Sequence, residues 1–400
     1  MSIAVEKLSN GFEIVMEKKK SPVSAFSIGF KSGSLTESRG MNGSTHFLEH
    51  MLLRDSSSGK REWLLKKVAE RGGRANGSTS PFSMQLNGVV LNEDLDFLME
   101  LETGSIKQIK FNKEDVEKEK EVILQELALK KERVRKDSVF LEWLIKGYSP
   151  FKTLGQEEDI KKMTFSKVKK RLNEIRKPNN MHSVIIGNFN EREVVDFFEN
   201  ELGSLKKGKT KQVKNFKLKK GEKGIVENEV LKKPKLYFSY VARDDKENHF
   251  HSIIFRDYLK KVISYELRDK RSLIYSTISR NYGLKNGFVQ FFSFSLEPEK
   301  IGLAEKIIKK EIEKIQQGKI KKKLFNATKK AYLMNSYLSE QSFERRINTL
   351  RYFSQFNDLN LLAEKEEIVK KISEKELIEN ARSNWDEQAL SWLIMNPLKK

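Results

Sequence analysis

The order of strand-like and helix-like segments runs through this chain twice, and this repetition limits its possible folds most. Each half opens with a segment of alternating apolar residues, VSAFSIGF in the first and KLYFSYVA in the second. Helical patterns follow, and each half closes on an apolar strand pattern, MHSVIIGNF or ALSWLIMNP. The repeat predicts an α+β fold. It would have two homologous α/β-roll halves, each a mostly antiparallel sheet packed against helices, facing each other across a crevice.

A lysine- and glycine-rich run separates the two halves. The run SLKKGKTKQVKNFKLKKGEKG, residues 204–224, contains a single carboxylate. This composition is typical of a solvated linker, although a surface that binds phosphate or another anion has the same composition. We therefore predict an N-terminal half over residues 1–205, a linker over 206–223 and a C-terminal half over 224–400.

Composition narrows the class of protein. The 400 residues, 38% of them hydrophobic, can build two sizeable domains. No apolar run reaches the roughly 18 residues of a membrane span, and the first residues lack the apolar core of a secretory signal, so we expect a cytoplasmic protein. The chain has no cysteine. A bound metal must therefore use histidine and carboxylate ligands.

The net charge of +21 suggests nucleic-acid binding as one class of function. However, 56 acidic residues are scattered among the 77 basic ones, and no motif combines aromatic and basic residues for base stacking. We therefore expect no nucleic-acid partner. A basic nucleic-acid or anionic-surface binder stays as an alternative.

The spacing of apolar residues also predicts individual elements. In the first half, Phe26, Ile28 and Phe30 share one face of a strand. Helices are predicted over residues 44–53, 59–71, 113–136, 191–202, 251–270, 303–317, 319–338 and 344–353. LIYSTISRNYG and GFVQFFSFSL read as strands of the second half.

The stretch STHFLEHMLLRD carries two of the five histidines in the chain. In a helix over residues 44–53, His46, Glu49 and His50 share one face because they are three and four residues apart. Two imidazoles at that spacing can hold one Zn²⁺ from a single rigid element. The spacing alone leaves an alternative open, namely a capped helix start with polar residues on one face.

The long helix over residues 113–136 offers a third ligand. Its buried stripe is marked by apolar residues at the spacing of one helix face: Val116, Ile123, Leu127 and Val134. Glu119 and Glu126 lie on this stripe, whereas Glu117 and Glu121 point away from it. A buried carboxylate is costly unless it is paired or binds a metal. The two glutamates therefore complete a metal site or form partly buried salt bridges with lysines.

The combined residues predict hydrolytic chemistry. One Zn²⁺ per chain, held by His46, His50 and Glu126, would lower the pKa of a bound water to about 7. Glu49 could accept the proton of that water and pass it to a leaving amine. Glu119 could orient a ligand histidine from behind. The predicted reaction is hydrolysis of a peptide or amide bond.

HFLEH is the inverted zinc motif H-x-x-E-H, and Glu126 follows His50 by 76 residues within EKEVILQEL. Together they resemble the pitrilysin/insulinase family, which includes mitochondrial processing peptidases and short bacterial zinc peptidases. The resemblance covers nearly the whole chain. It implies that His46, His50 and Glu126 bind zinc, that Glu49 is the base and that Glu119 assists.

Two further segments resemble substrate-binding parts of the family. GGRANGST is similar to the family's N-A-x-T strand, whose edge pairs with the substrate backbone, although Gly77 replaces the usual alanine. The resemblance assigns substrate binding to Asn76, Gly77, Ser78 and Thr79. After Thr79 the family's usual aromatic pair is missing from SPFSMQLNG.

ELRDKRSLIY resembles the family's L-R-x-x-x-x-L-x-Y segment. It implies that Arg268 and Tyr275 hold the substrate and stabilise the tetrahedral intermediate. Without the resemblance, the two side chains could equally serve packing alone. Ser272 stands where the family often has a glycine.

Family members either join four such units in one chain or pair two-unit chains around a chamber. This chain of 400 residues resembles the second kind. Because it carries both the zinc motif and the Arg/Tyr segment, we expect a homodimer that closes around peptides or unfolded segments. The predicted function is that of a zinc metalloendopeptidase. The alternative within the family is a catalytically weak structural subunit of a peptidase-like assembly.

Overall fold

The computed structural model of the protein describes residues 3–54, 63–132, 136–146, 153–213, 217–228, 231–243, 248–284, 287–356, 358–385 and 389–398. The strands are β1 (Ile3–Lys7), β2 (Glu13–Lys18), β3 (Val23–Phe30), β4 (Arg74–Thr79), β5 (Met84–Leu91), β6 (Ile145–Lys146), β7 (Met181–Gly187), β8 (Lys217–Leu218), β9 (Lys223–Asn228), β10 (Lys235–Arg243), β11 (Ile278–Leu284), β12 (Gly287–Ser295) and β13 (Ser391–Pro397).

The helices of the first half of the chain are α1 (Ser44–Leu52), α2 (Trp63–Ala69), α3 (Leu95–Lys107), α4 (Lys113–Glu132), α5 (Lys136–Leu144), α6 (Glu157–Lys161), α7 (Phe165–Ile175) and α8 (Glu191–Leu202). Those of the second half are α9 (His249–Ser264), α10 (Ile301–Gln316), α11 (Lys322–Glu340), α12 (Phe343–Phe356), α13 (Leu359–Lys371) and α14 (Glu374–Asn384). A π-helical turn, Tyr265–Asp269, continues α9.

The chain forms two compact units. Unit 1 comprises Met1–Val134, Ser149–Lys214 and Ser339–Gln355, and unit 2 comprises Arg135–Tyr148, Asn215–Leu338 and Phe356–Lys400. The fold is α+β in both, with mainly antiparallel sheets and many helices, as the sequence predicts.

The two main sheets share one topology. The sheet of unit 1 has the order β1-β2-β7-β3-β5-β4, and that of unit 2 the order β11-β12-β10-β13-β9. The strands of each main sheet can be numbered in chain order, starting with β2 in unit 1 and with β9 in unit 2. The spatial order across both sheets is then first, fifth, second, fourth, third. In each, the first and fifth strands are the parallel pair, and all other neighbours are antiparallel. The repeated pattern in the sequence therefore corresponds to a repeated topology.

The helices between the fourth and fifth strands also correspond. The series is α3 to α7 in the first half of the chain and α10 to α14 in the second half. The third helix of each series belongs to the other unit, so that α5 is part of unit 2 and most of α12 is part of unit 1. The apolar patterns of the sequence did not predict this exchange, because both helices look like ordinary members of their own half.

Unit 1 buries both faces of its sheet. On one face, Phe26 and Ile28 of β3 pack in the core with Phe47 and Leu48 of α1. Side chains of the sheet alternate between its faces, so Glu17 points away from that core. There α12 covers the sheet, and Arg346 binds both carboxylate oxygens of Glu17, each at 2.7 Å.

Unit 2 receives α5 through aromatic packing. The Phe140 ring of α5 stacks on the Tyr237 ring of β10, with centroids 4.8 Å apart. Asp137 accepts a hydrogen bond from the Tyr237 hydroxyl at 3.1 Å and lies 3.2 Å from the Arg280 guanidinium. Burial, with the nearby Asp137 charge, raises the pKa of Tyr237 far above its ordinary range.

Several predicted elements differ from the structure. Of the predicted helix over 113–136, residues 133–135, among them Val134 of the predicted stripe, lie outside the described part of the chain; α4 ends at Glu132 and Lys136 begins α5. The strand predicted for LIYSTISRNYG begins only at Ile278, since the residues before it are irregular. The predicted helix over 251–270 is α9, which starts two residues earlier and passes into the π-helical turn after Ser264. For the predicted helix over 59–71, residues 59–62 lie outside the described part of the chain, and α2 begins at Trp63.

In the described part of the chain, no helix combines the length and the apolar character that crossing a bilayer requires.

Candidate metal centre

The histidines of the HFLEH stretch lie on α1, which packs against the sheet of unit 1. Phe47, Leu48 and Met51 of this helix are fully buried in the core. Gly43 precedes the helix with a φ of 85°, in the left-handed region. A Cβ at this position would lie 2.5 Å from the Cα of Gly155. Glycine suits both constraints, and the close approach fixes the start of α1.

Hydrogen bonds of Glu37 and Arg171 hold this start of α1. Glu37 accepts hydrogen bonds from the backbone N–H groups of Gly43 and Thr45, at 2.8 and 2.7 Å. Arg171 donates from Nε to the Thr45 hydroxyl at 3.0 Å. Burial raises the pKa of Glu37 to about 7, although the hydrogen bonds from Thr45 and the charge of Arg171 act in the opposite direction. These contacts fix the turn that carries His46.

His46, His50 and Glu126 bring three possible ligand atoms together. One nitrogen or oxygen atom of each residue lies within 4.8 Å of the other two. The Nε2 atoms of His46 and His50 are 3.7 and 3.6 Å from Oε2 of Glu126. Ligand atoms of a tetrahedral zinc site, with bonds of about 2.0–2.1 Å, are roughly 3.3 Å apart. The donor set therefore fits Zn²⁺ with small adjustments, and only α1 and α4 contribute to it.

Glu119 contacts His50 on the side of the ring that faces away from the other two residues of this cluster. Its Oε1 atom is 2.9 Å from Nδ1 of His50, the ring nitrogen on the side away from Glu126. Arg54 donates from Nε to Oε2 of Glu119 at 2.8 Å, and also contacts Asp115 at 3.3 Å. Burial raises the pKa of Glu119, but the hydrogen bond to His50 and the charge of Arg54 outweigh it and lower that pKa. An ionised Glu119 can fix the tautomer of His50, with Nε2 left for a metal.

Glu49 projects from the same face of α1 and is buried. The Thr79 hydroxyl of β4 donates to its Oε2 atom at 2.5 Å. Gly77 lies against the same side chain, since a Cβ at position 77 would be 2.7 Å from Cγ and 2.8 Å from Oε1 of Glu49. The missing side chain at Gly77 thus allows β4 to approach the carboxylate closely.

The four residues of the predicted substrate strand lie on β4, at one end of the sheet of unit 1. Within the described residues, β4 pairs only with β5 and leaves its other edge without a strand. Asn76 and Ser78 are exposed, whereas Gly77 is buried and Thr79 half-buried. An open edge of this kind can accept an extended peptide as an added strand.

Arg268 and Tyr275 belong to unit 2, whereas the histidine cluster and β4 belong to unit 1. Arg268 lies in the π-helical turn, with 60% of its side chain exposed and Nε 3.7 Å from Asp269. Tyr275 precedes β11 and is 90% exposed. Ser272 between them has a φ of 50°, which explains why a glycine would suit this position. Both side chains are thus open to solvent within unit 2.

The sequence did not single out three residues that hold the cluster in place: Arg54, Glu37 and Arg171. Arg54 follows His50 by four residues, so one helical turn places it near the same partner, and this spacing could have found it. Arg171 lies on the buried face of α7 together with apolar residues, so its place on an apolar stripe could have found it. Glu37 carries no such signal, because it lies outside a regular helix or strand and charged residues are abundant in this chain.

Comparison with known proteins relates both halves of the chain to one class, that of the M16 peptidases. Residues 13–150 match the family described as insulinase, peptidase family M16, and residues 162–332 match the family described as peptidase M16 inactive domain. The cluster of His46, His50 and Glu126 lies within the first match. The chain belongs to the insulinase (M16) family.

Individual relatives agree with this assignment. The chain is 23% identical over 340 residues to the zinc protease PqqE of Helicobacter pylori, covering 78% of this chain and 76% of that protein. Among solved structures, a protease from Helicobacter pylori matches with a TM-score of 0.81 at 21% identity, covering 99% of both chains. The first half of the periplasmic protease PqqL from Escherichia coli matches with a TM-score of 0.76 at 16% identity, covering 98% of this chain and 92% of that one.

Proposed function

We propose that this protein is a zinc-dependent peptidase that hydrolyses peptide bonds in oligopeptides or unfolded segments. The carrying observation is the convergence of His46, His50 and Glu126 within 4.8 Å, beside the buried carboxylate of Glu49. The family relationship supports the same reading, since relatives of this chain are named zinc proteases.

In this proposal, His46, His50 and Glu126 hold one Zn²⁺ per chain, which supplies a Lewis acid that activates water and polarises a carbonyl group. Glu49 accepts the proton of the attacking water and delivers it to the leaving amine. The hydrogen bond from Thr79 holds the Glu49 carboxylate in one orientation. Glu119 assists by keeping a proton on Nδ1 of His50, and Arg54 keeps Glu119 ionised.

Two segments of the chain bind the substrate in this proposal. Asn76, Gly77, Ser78 and Thr79 on the open edge of β4 receive the peptide backbone as an added strand. Arg268 and Tyr275, which are exposed in unit 2, reach the developing oxyanion of the substrate.

Location and assembly complete the proposal. The chain carries both the metal cluster and the Arg/Tyr segment, so a homodimer needs no contribution from a second kind of subunit. We place it in the cytoplasm, where a chain without cysteine needs no oxidising environment. Light scattering coupled to size exclusion measures the dimer, and cell fractionation measures the location.

The test combines metal content with cleavage. The zinc-loaded full chain, the chelated chain and Glu49→Gln are incubated with a library of internally quenched peptides, and zinc is counted by mass spectrometry. We expect one zinc per chain in both the wild type and Glu49→Gln. Cleavage is expected from the loaded wild type alone, because Glu49 moves the proton without binding the metal.

A matched pair on α4 provides the control. Glu126→Gln should lose zinc and cleavage, whereas Glu121→Gln, which changes an exposed carboxylate of the same helix, should keep both. The second candidate, a structural subunit, draws on the description of residues 162–332 as an inactive domain. Zinc binding without cleavage of any library peptide would favour that candidate. Equal cleavage by wild type and Glu49→Gln would refute the mechanism.

A further inference from the structure

We propose that unit 1 has a second ligand site, a basic pocket that binds a small polyphosphate anion of the triphosphate class. The pocket has a volume of about 670 Å³. Its cationic lining consists of Lys169, Lys170, Arg171, Lys177, Lys209 and Lys211. The site is separate from the three metal-binding residues, and the inference does not depend on the proposed peptidase activity.

The charge of the pocket is strongly unbalanced. Glu174 is the one acidic residue of the lining, and its carboxylate lies 3.7 Å from the Arg171 guanidinium. Arg171 is also hydrogen-bonded to Thr45 and to the carbonyl oxygen of Gly33. The pair of Glu174 and Arg171 is therefore nearly neutral, and five ammonium groups surround it without a carboxylate to balance them.

Most of these lysines are available to a ligand. Within the described residues, Lys169, Lys170, Lys177 and Lys209 form no ion pair and donate no side-chain hydrogen bond. Lys211 donates to the Ser38 hydroxyl at 2.7 Å. Gathering like charges around one cavity costs electrostatic free energy, which an anion bound among them reverses.

The lysines come from two separate segments that are held together. Lys169 and Lys170 lie on α7, whereas Lys209 and Lys211 follow α8 in the run that the sequence predicted to be a solvated linker. The amide of Asn179 bonds Gly208 twice, as donor to its carbonyl oxygen and as acceptor from its N–H, both at 3.0 Å.

The side-chain stem of Lys177 packs on the same glycine, since a Cβ at Gly208 would lie 2.7 Å from its Cδ. The run therefore lies fixed along unit 1 at this point, and its lysines have defined positions. A cavity with cations on two sides is a constructed feature of the fold, which a freely solvated linker would not provide.

The lining suits a compact, multiply charged anion that needs no stacking contact. Ile175 is its single apolar residue and no aromatic ring contributes, so the pocket offers nothing on which a nucleic-acid base could stack. A cavity of about 670 Å³ holds a small molecule. Ammonium groups bind phosphate oxygens through charge-assisted hydrogen bonds, and a triphosphate concentrates several such oxygens in a short length.

The experiment is calorimetric titration of the full chain with sodium tripolyphosphate, at low and at high salt. We expect saturable one-to-one binding that weakens as salt rises. The double variant Lys169→Gln/Lys209→Gln removes one cation from each segment and should bind at least about tenfold more weakly. Lys7→Gln/Lys20→Gln, with the same loss of charge at exposed positions of unit 1 outside the pocket, should change affinity less than about twofold. Thermal unfolding establishes that both variants are folded.

Three results would overturn the proposal. If tripolyphosphate does not bind even at low salt, the proposed site does not exist. Equal weakening in the pocket and control variants assigns binding to the general positive charge of the protein. An oligoglutamate or a single-stranded oligonucleotide that binds the pocket more tightly than tripolyphosphate assigns it to an acidic peptide or to nucleic acid. Titration with ATP should match tripolyphosphate, because the inferred contacts involve phosphate alone.

Discussion

The two units follow the same path through their sheets, yet helices at equivalent places carry different chemistry. The helix after the second strand is α1 in unit 1, with His46, Glu49 and His50 on one face. In unit 2 it is α9, whose buried residues include Phe255 and Leu259. The second helix after the fourth strand is α4 with its two glutamates in unit 1, and α11, which buries apolar residues and a threonine, in unit 2. The equivalent helices thus share a place in the topology, and a few side chains decide whether possible metal ligands converge there.

The exchanged helices differ in a parallel way. In unit 2, α5 packs through the stacked rings of Phe140 and Tyr237. In unit 1, α12 buries Ile347, Leu350 and Phe353 and also forms a buried ion pair with the sheet, that of Arg346 with Glu17. The ion pair depends on complete pairing of charges, whereas the stacked rings do not.

The largest expected effect tests whether metal binding is confined to unit 1. His50→Gln should lower zinc affinity by more than about 100-fold, the upper range for loss of a residue that only supports a ligand, and should reduce cleavage to background. His251→Gln changes a histidine of α9 that lies 3.3 Å from Glu376, and it should leave both unchanged. Zinc content by mass spectrometry and peptide cleavage measure the difference. Loss of zinc from His251→Gln would contradict the prediction that only unit 1 binds the metal.

The next effect tests the polar contact of α12. Glu17→Gln removes the carboxylate that binds the buried Arg346 guanidinium twice and leaves Glu340, at 3.2 Å, as its other acidic partner, so it should lower the free energy of unfolding by about 3 kcal/mol, the lower end of the range for a broken buried ion pair. The double variant Glu17→Met/Arg346→Met removes both charges and should recover most of that loss. Urea unfolding measures all three proteins. A double variant as unstable as Glu17→Gln would show that the cost comes from lost packing and not from an unpaired charge.

A third effect depends on pH and concerns the start of α1. The ordinary pKa of Glu37 is 4.5, and burial raises it to about 7 in the folded protein. As pH rises, the unfolded chain releases this proton first, so folding stability falls between about pH 4.5 and about pH 7. At about 1.4 kcal/mol per pKa unit, the fall amounts to about 3 kcal/mol.

Glu37→Gln cannot lose a proton, so its stability relative to the wild type should rise by that amount over the same pH window. Urea unfolding at several pH values, with a chelator present to exclude metal effects, measures the difference. Parallel pH curves for the two proteins would mean that Glu37 titrates normally.

Much of the fold follows from the sequence because its signals are local or repeated. The alternation of VSAFSIGF and the spacing of the HFLEH residues depend only on the geometry of one strand or one helix. The repeated order of strand-like and helix-like segments predicts that the two units share one topology. The exchange of α5 and α12 is different in kind, since their partners, such as Tyr237 and Glu17, are about a hundred residues away or more.

The same reasoning divides the site residues. The glutamates of α4 were visible as acids on an apolar stripe, and Arg171 lies in the same way on the buried stripe of α7. Glu37 lies on no such stripe, and nothing local distinguishes it from the other charged residues of a chain with 77 basic and 56 acidic side chains. The lysines at positions 209 and 211 were visible only as part of a charged run, because their packing depends on the hydrogen bonds between Asn179 and Gly208.

A smaller effect is expected at Glu119, which contacts the possible metal ligand His50. Glu119→Gln keeps the size of the side chain but removes the charge that Arg54 and His50 share. Zinc affinity should fall by about 10–100-fold, as is usual for a residue that orients a metal ligand. Glu117→Gln, on the exposed face of the same helix, is the matched control and should have no effect. Competition with a fluorescent zinc chelator measures both. An unchanged affinity in Glu119→Gln would restrict the site to the three residues that contact the metal.

The smallest effect concerns Gly77, whose missing side chain lets β4 approach Glu49 closely. A methyl group here must displace the Glu49 side chain by about 0.7 Å, because the added Cβ would lie 2.7 Å from its Cγ and ordinary contact begins at 3.4 Å. A misplacement of about 1 Å can cost a hundredfold in rate, so Gly77→Ala should lower kcat by about tenfold. Gly77→Val adds bulk at the same point and should lower kcat further, with zinc content unchanged in both. Full activity in Gly77→Val would mean that β4 does not position Glu49, and Thr79 would then be left as its sole support on that strand.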